Sequence, residues 1–450
     1  VQTIAKVQDP ELITQGLFPS LAPNQLALWR TGFNIRFNRG RASKSTGYTV
    51  EPTTVIEGQD YTINCMTQSY VDEARRIFFA TNLGYNSLNL YDDGVYKNLG
   101  SGYADGNWSM ITFGTWLLAT NNADAPFIWK NTDGAAIPLG GVNFLRCKIL
   151  RKNNNHIFAL NLDTGGQRVQ WSAISAPEAW TPLLADDAGN PGNDAGGIDV
   201  RDLDSDISAC ETIGEDLAFY SANSMGRIIY TGDAFVYSVK VVLSGIGAVG
   251  ANAVISVGAD NYGLGRKGFW KTDGLSYDYI DRGSEGQYSF SSATENPSVQ
   301  DWIADNIDWQ QAYLTVGLHN QKANVVEWHF ICKDTTIRGL AFDYVTHAWT
   351  ILQFPITFGL EQQVFDFPTV ATGKGFGFYG SGNNMDTEPL PALLVSAAFD
   401  GGSPDNYKIW DCVRTDIKTQ GLVQIKFGFS DTPKDEDFVW GDWQTIDRDN

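Results

Sequence analysis

One phrase occurs twice in this chain. Trp129-Lys130-Asn131-Thr132-Asp133-Gly134 returns as Trp270-Lys271-Thr272-Asp273-Gly274. Each copy follows apolar, strand-like residues (Phe127-Ile128 and Gly268-Phe269) and ends on Asp-Gly, a dipeptide that accepts the positive φ of a tight hairpin. Looser versions stand at Leu90-Tyr91-Asp92-Asp93-Gly94, Val169-Gln170-Trp171-Ser172, Ile229-Tyr230-Thr231-Gly232 and Ala341-Phe342-Asp343-Tyr344. Their aromatic markers are Tyr91, Trp129, Trp171, Tyr230, Trp270 and Phe342. Most intervals between successive markers lie near the ~40–50 residues of one four-stranded propeller blade. The intervals from Trp171 to Tyr230 and from Trp270 to Phe342 are longer. The expected fold is all-β: a β-propeller of about six blades, with one inserted helix and a smaller C-terminal β module.

The rest of the composition fits that expectation. The 450 residues carry 13% aromatics and 46 glycines, the first suited to strands and the second to tight turns. No Pro/Ser-rich or charge-block linker divides them. The expected organisation is an N-terminal arm and basic hairpin over residues 1–50, a propeller over 51–360, and a C-terminal module or ring-closing blade over 361–450. The net charge of −20, from 32 basic and 52 acidic residues, argues against a surface that grips nucleic acid by counterion release. A surface that DNA must pass without adsorbing is compatible with it. No apolar run reaches the ~18 residues of a membrane span and the N-terminus has no charged-then-apolar leader, which predicts a soluble chain. The sequence opens on Val1, so an initiator Met or a longer segment is expected before it. Cys65, Cys147, Cys210, Cys332 and Cys412 are scattered, odd in number and never in a C-x-x-C pair. That pattern predicts reduced, partly buried thiols in a chain made in a cytosol, and no zinc site.

Two stretches depart from the average. Residues 12–50 hold Arg30, Arg36, Arg39, Arg41 and Lys44 and no acidic residue, inverting the charge of the rest. Strands over 31–37 and 41–48 are expected around the turn Asn38-Arg39-Gly40. This hairpin reads either as a basic strand guarding a sheet edge or as a docking surface for an acidic partner or a phosphate. Between residues 183 and 205 the chain becomes rich in Gly, Asn and Asp, which predicts one long exposed loop. It carries Asp186, Asp187, Asp194, Asp199, Asp202 and Asp204, with Asp206 just beyond. The D-x-[DN]-x-[DN]-G spacing of a calcium loop is missing, so no metal is expected. One helix is predicted over 299–311, capped by Ser298 with Asp301 three residues on.

Catalytic patterns find no support. Gly245-Ile246-Gly247-Ala248-Val249-Gly250 matches a dinucleotide fingerprint, but the β-branched run Ala253-Val254-Ile255-Ser256-Val257 follows where a helix is required. The histidines His156, His319, His329 and His347 show no metal-ligand spacing, and neither a G-x-S-x-G elbow nor a sialidase box is present. No enzyme activity, cofactor or metal is expected. Trp171 and Trp180 flank a short turn and could line a sugar site, although blade packing accounts for most propeller tryptophans. A carbohydrate-binding or glycoside-cleaving propeller is therefore the alternative reading.

Several stretches resemble one family, the nozzle or tail-hub proteins of short-tailed bacteriophages, also described as packaged-DNA-stabilising tail proteins. They are Leu21-Ala22-Pro23-Asn24-Gln25 with Gly32-Phe33-Asn34-Ile35-Arg36-Phe37-Asn38-Arg39-Gly40-Arg41-Ala42, then Val169-Gln170-Trp171-Ser172-Ala173-Ile174-Ser175-Ala176-Pro177 with Trp180, and Gly245-Ile246-Gly247. Val326-Glu327-Trp328-His329-Phe330 with Phe342-Asp343-Tyr344 and Trp349-Thr350 completes the set. Gln25 and Trp29 depart from the family's usual alanine–tryptophan placing, and the tail beyond Phe365 is the least family-like part. The resemblance implies a non-enzymatic virion protein, made in the host bacterial cytoplasm and built into the phage tail. It implies a homo-oligomeric ring, sixfold, below the head-to-tail adaptor, with tailspike, fibre or needle proteins as further partners. The ring would enclose the channel that retains the packaged double-stranded DNA and conducts it during ejection. On this reading Arg30, Arg36, Arg39, Arg41 and Lys44 meet the adaptor or a neighbouring subunit, and the seven aspartates line the channel or its gate.

Overall fold

The computed structural model describes residues 29–38, 41–51, 56, 61–71, 73–132, 134–185, 192–232, 236–281, 299–373, 375–396, 423–429 and 439–446. The chain forms two compact units, residues 10–395 and a second made of 1–9 with 396–450.

The larger unit is a seven-bladed β-propeller. Blade 1 is Thr62–Val71, Ala74–Asn82, Ser87–Asp92 and Val95–Ser101; blade 2 is Ser109–Phe113, Trp116–Thr120, Phe127–Trp129 and Ile137–Pro138. Blade 3 is Cys147–Asn153, His156–Leu162, Gly165–Trp171 and Gly196–Asp199; blade 4 is Ala209–Ile213, Asp216–Tyr220, Ser224–Tyr230 and Tyr237–Ser244. Blade 5 is Val254–Val257, Asp260–Gly265, Gly268–Thr272 and Tyr277–Tyr279; blade 6 is Val316–Asn320, Val325–Ile331, Ile337–Asp343 and Trp349–Leu352. Blade 7 takes its first three strands, Phe358–Leu360, Thr369–Ala371 and Phe376–Tyr379, from near the end of this unit, and its fourth, Tyr48–Val50, from near the start. The register Gly377↔Val50, Phe378↔Thr49, Tyr379↔Tyr48 closes the ring. First strands of successive blades are neighbours all the way round, and that of blade 7 lies beside that of blade 1.

The count of seven corrects the expectation of about six, and the reason is visible in the repeat. All six aromatic markers fall on third strands, one in each of blades 1 to 6. Blade 7 has no such phrase, and its fourth strand comes from the opposite end of the unit. The two long intervals also have causes. That from Trp171 to Tyr230 holds the extended third-to-fourth connection of blade 3, and that from Trp270 to Phe342 holds the link from blade 5 to blade 6 with its helix, Val299–Asn306. That helix is shorter than expected, with the single-turn 3₁₀ helix Ala312–Leu314 a few residues on, and its expected cap Ser298 lies outside the described residues.

Packing follows from strand period. Side chains alternate between the two faces of a blade, so each seam between blades receives one apolar set. Trp129 of blade 2 meets Phe78 of blade 1 edge-on at 5.7 Å, and Phe79 of blade 1 meets Phe376 of blade 7 at 5.6 Å. Trp270 of blade 5 stacks on Tyr220 of blade 4 at 5.0 Å, and Trp328 of blade 6 lies 4.5 Å from Phe269 of blade 5. The two copies of the repeated phrase thus place a tryptophan against the preceding blade. Each such aromatic contact contributes ~0.5–1.5 kcal/mol beyond its buried area.

The smaller unit pairs Val423–Ile425 with Gln444–Ile446 and Gly428–Phe429 with Val439–Trp440. The Lys426 ammonium lies 4.8 Å from the ring centroids of both Trp440 and Trp443. No helix among the described residues is long and apolar enough to cross a membrane.

Candidate functional site

Antiparallel blades give the ring two ends. First-to-second and third-to-fourth turns lie at one, here the turn end; second-to-third turns and blade-to-blade links lie at the other, the link end. This division separates the seven aspartates, which do not form the single loop expected of them. Gly196–Asp199 is a strand, paired to blade 3 through Trp171↔Gly196 and Arg168↔Asp199. It forms because Gly196 has no side chain: a Cβ there would sit 2.5 Å from Cζ2 of the Trp171 indole. Asp194 precedes this strand at the turn end, whereas Asp202, Asp204 and Asp206 follow it at the link end. Asp186 and Asp187 lie outside the described residues.

The described aspartates have different tasks. Asp194 is a structural anchor. Its Oδ2 lies 3.0 Å from Nε2 of the fully buried His156, and its Oδ1 accepts from the Ile174 amide at 2.8 Å. Its backbone carbonyl accepts from the Trp171 indole at 2.9 Å. Tyr237 of blade 4 completes this set with its hydroxyl 2.9 Å from His156 Nδ1. Asp199 pairs with Arg168 at 3.0 Å on the outermost strand. Asp204 accepts from the Ser221 hydroxyl. Desolvation pushes its carboxyl up, but hydrogen bonds from Ser221 and Ser224 outweigh this and hold it below the usual aspartate range. Asp202 and Asp206 are exposed; burial pushes the Lys148 ammonium down, and Asp206 partly offsets that.

The basic hairpin forms from Ile35–Asn38 and Arg41–Lys44, with Asn34 in the left-handed region at φ 55 just before it. Fully buried Asn34 binds two distant segments. Its amide donates to Ile351 O at 2.8 Å, its Oδ1 accepts from the Gln353 amide at 2.8 Å, and its Nδ2 donates to Pro391 O at 2.8 Å. Ile35 and Phe37 sink into the apolar set of blades 5 and 6. Lys44 is exposed, Arg30 and Arg41 lie on strands, and Arg39 lies outside the described residues.

Arg36 points inward. Its Nη2 lies 3.4 Å from Oε1 of Glu327, which is 0% exposed, and donates to the Tyr379 hydroxyl at 3.1 Å. Tyr379 in turn donates to Glu327 Oε1 at 3.2 Å, and the Arg36 guanidinium lies 5.7 Å from its ring centroid. Burial pushes the guanidinium's pKa down, while Tyr379 and Glu327 more than offset that, so it is firmly charged. Burial and Glu327 push the Tyr379 phenol up, which fits a neutral O–H that donates. Arg36 is therefore engaged in an internal ion pair, with part of its side chain lining a cavity. It ties the N-terminal hairpin to blade 6 and blade 7 at the seam where the ring closes.

Strand period puts Glu327 in that seam. Val326, Trp328 and Phe330 face blade 5, and the alternating positions Val325, Glu327 and His329 face blade 7. His329 Nε2 lies 3.5 Å from Glu327 Oε2, with both side chains fully buried. The readable signal was a glutamate inside a strand buried on both faces, which calls for a hydrogen-bonding or charged partner. Above this cluster, at the turn end, a cavity of about 250 Å³ opens between hairpin, blade 6 and blade 7.

The sugar-site expectation fails on burial. Trp171 and Trp180 are both buried, and the Trp180 indole donates to Pro177 O at 2.7 Å, so neither offers a ring face to a ligand. The glycine-rich stretch 245–250 leads into the strand Val254–Val257 and not into a helix, as the residues predicted. Among the described residues no cluster of His, Cys, Asp or Glu is arranged to hold a metal.

No family model matches this chain, and no curated protein matches it. Among solved structures it is similar to the computationally designed Ika8 protein at 10% identity, covering 72% of this chain and 98% of that one, with a TM-score of 0.42. It is likewise similar to YCF48 bound to D1 peptide at 10% identity, covering 75% of this chain and 95% of that one, with a TM-score of 0.40. Neither resemblance bears on function.

Proposed function

We propose that this protein is a non-enzymatic structural subunit of a short phage tail, assembling with copies of itself into a sixfold ring that encloses the DNA channel below the head-to-tail adaptor. One observation carries the reading: the stretches that resemble the tail-nozzle family coincide with the elements that hold the propeller together. Asn34 and Arg36 clasp the closing seam, Trp171 and Trp180 fix the long connection of blade 3, and Glu327 with Trp328 supplies the second strand of blade 6. A scaffold whose task is shape depends on such residues. The net charge of −20 supports the same role, because like charge keeps a passing duplex from adsorbing. On this reading the exposed carboxylates Asp199, Asp202 and Asp206 repel DNA at the wall, and the exposed Lys44 of the hairpin meets the adaptor.

Electron microscopy and mass photometry of the purified chain test this. Ring particles of about six copies that fail to retard double-stranded DNA are the expected result. Particles that remain single at every concentration and bind host glycans would replace this reading with the carbohydrate-binding one.

A further inference from the structure

We propose that His156 is a proton-operated latch: with protons on both ring nitrogens it holds the long connection of blade 3 through Asp194, and it loosens that connection as pH rises. The latch stands apart from the ring assembly proposed above.

Its geometry begins in a turn. Asn154 and Asn155 both take the left-handed backbone, at φ 44 and 59, and the register Asn153↔His156 closes the hairpin over them. The chain folds back so that His156 Nδ1 lies 2.9 Å from the Asn154 carbonyl oxygen. On the other side of the ring, Nε2 lies 3.0 Å from Asp194 Oδ2. A carbonyl and an ionised carboxylate accept hydrogen bonds and have no proton to give. A neutral imidazole has one N–H and serves one of them, whereas the imidazolium has two and serves both. The ring is 0% exposed, so a lone pair set against an acceptor there is not relieved by solvent. Both bonds vanish in the unfolded chain. Stability drawn from the second proton is therefore in place at acid pH and lost as pH rises.

The groups that face the ring from other elements house either state. Asp194 comes from the connection, while Tyr237 and Tyr230 come from blade 4, their ring centroids 5.2 Å and 6.5 Å from that of the imidazole. Burial, then Tyr230 and Asp194, push the Tyr237 phenol up, so it keeps its proton. Its oxygen lies 2.9 Å from His156 Nδ1 and 3.4 Å from Asn153 O. With the ring charged the hydroxyl donates to Asn153 O, and once Nδ1 is bare it turns and donates there. The seam between blades 3 and 4 thus stays satisfied, but the Asn154 bond is lost and the Asp194 contact ceases to be an ion pair. Asp194 passes this change on. It holds the Ile174 amide at 2.8 Å and the Trp171 indole at 2.9 Å, two residues before the strand Gly196–Asp199.

The test uses the full chain. Nitrogen-15 NMR of the histidine rings at about pH 7.5, one unit above the ordinary histidine value of ~6.5, should show protons on both nitrogens of His156, which is recognised by its contact with the Tyr237 ring. A single proton there overturns the inference. Amide exchange, corrected for its intrinsic pH dependence, gives the second readout. Protection of Ile174 and Gly196–Asp199 should fall about tenfold between about pH 6 and about pH 9, the difference between a charge-assisted and a neutral hydrogen bond. Asp194→Asn keeps the shape of the side chain and removes its charge, so protection there should be low at every pH. Tyr237→Phe should retain the pH dependence, because both acceptors remain. Wild-type protection that does not change with pH, or that changes equally in Asp194→Asn, overturns the inference. If Asp194→Asn misfolds, the ring spectrum and the wild-type series decide.

Discussion

Blade 3 and blade 7 solve the same problem by opposite routes. Blade 3 is continuous in sequence over residues 147–199, and its first two strands meet at the turn Asn154-Asn155, both in the left-handed region. Blade 7 joins Tyr48–Val50, from near the start of the propeller, to the three strands between Phe358 and Tyr379 near its end. Their polar contacts differ in the same way. Arg168–Asp199 on blade 3 is a half-exposed pair, whereas at the blade 7 seam Glu327 and Tyr379 are fully buried and Arg36 is mostly so. A blade built from neighbours can tolerate local loss, while a blade that joins distant segments carries a loop-closure cost and needs contacts that cannot be spared.

The largest expected difference follows from charge. Arg36→Ala strands the Glu327 carboxylate in the seam and should lower stability by ~3–5 kcal/mol, as removing one partner of a buried pair does. Arg168→Ala should cost ~0–1 kcal/mol, as exposed pairs do. Urea denaturation of the two variants measures both, and similar midpoints would break the comparison. Next comes steric fit. A Cβ on Gly47 would lie 1.7 Å from the Asn384 carbonyl oxygen, which is backbone and cannot turn aside. A Cβ on Gly196 would meet the Trp171 indole beside an outermost strand, which can shift. Gly47→Ala should therefore cost ~3 kcal/mol or more and Gly196→Ala ~1 kcal/mol, near the two ends of the overpacking range, again read from denaturation midpoints.

How much was legible follows from the same contrast. The paired tryptophan phrases and the looser markers disclosed six third strands, because each marker is an aromatic within an apolar run and most sit beside a hairpin turn. The seventh blade was hidden because no local pattern announces a strand whose partner lies at the other end of the propeller. The acidic stretch was misread as one loop because Gly196-Gly197 looks like a flexible linker; only the indole of Trp171 shows why those glycines are a strand. Arg36 looked like a surface charge because the residue that holds it, Glu327, is 291 positions away. The glutamate within Val-Glu-Trp-His-Phe was the available sign that a buried hydrogen-bonding or charged partner was needed.

Two smaller effects sharpen the picture, the first at the link after blade 3. The Asp204 carboxyl is held below its usual range, so its contribution is in place above the unfolded aspartate value of ~3.9 and is lost as pH falls through the lower native value. Ser221→Ala removes a main stabilising hydrogen bond and should reduce the drop in stability below about pH 4, seen in melting temperatures from pH 6 to 3. An unchanged acid limb would contradict the assignment. The smallest effect concerns thiols. Burial pushes Cys65, Cys147 and Cys210 up to about 12, so in the native protein they should resist alkylation at pH 8 and react once urea exposes them. Rapid native labelling would show that blades 1, 3 and 4 are open.

The most direct test of a ring closed by its own N-terminal strand is amide hydrogen exchange on the full chain carrying Arg36→Ala. The amides of Thr369–Ala371 and Phe376–Tyr379 should lose protection while those of blades 2 to 5 keep theirs. Protection in blade 7 equal to wild type would show that the seam does not depend on the Arg36–Glu327 clasp, and would contradict the account.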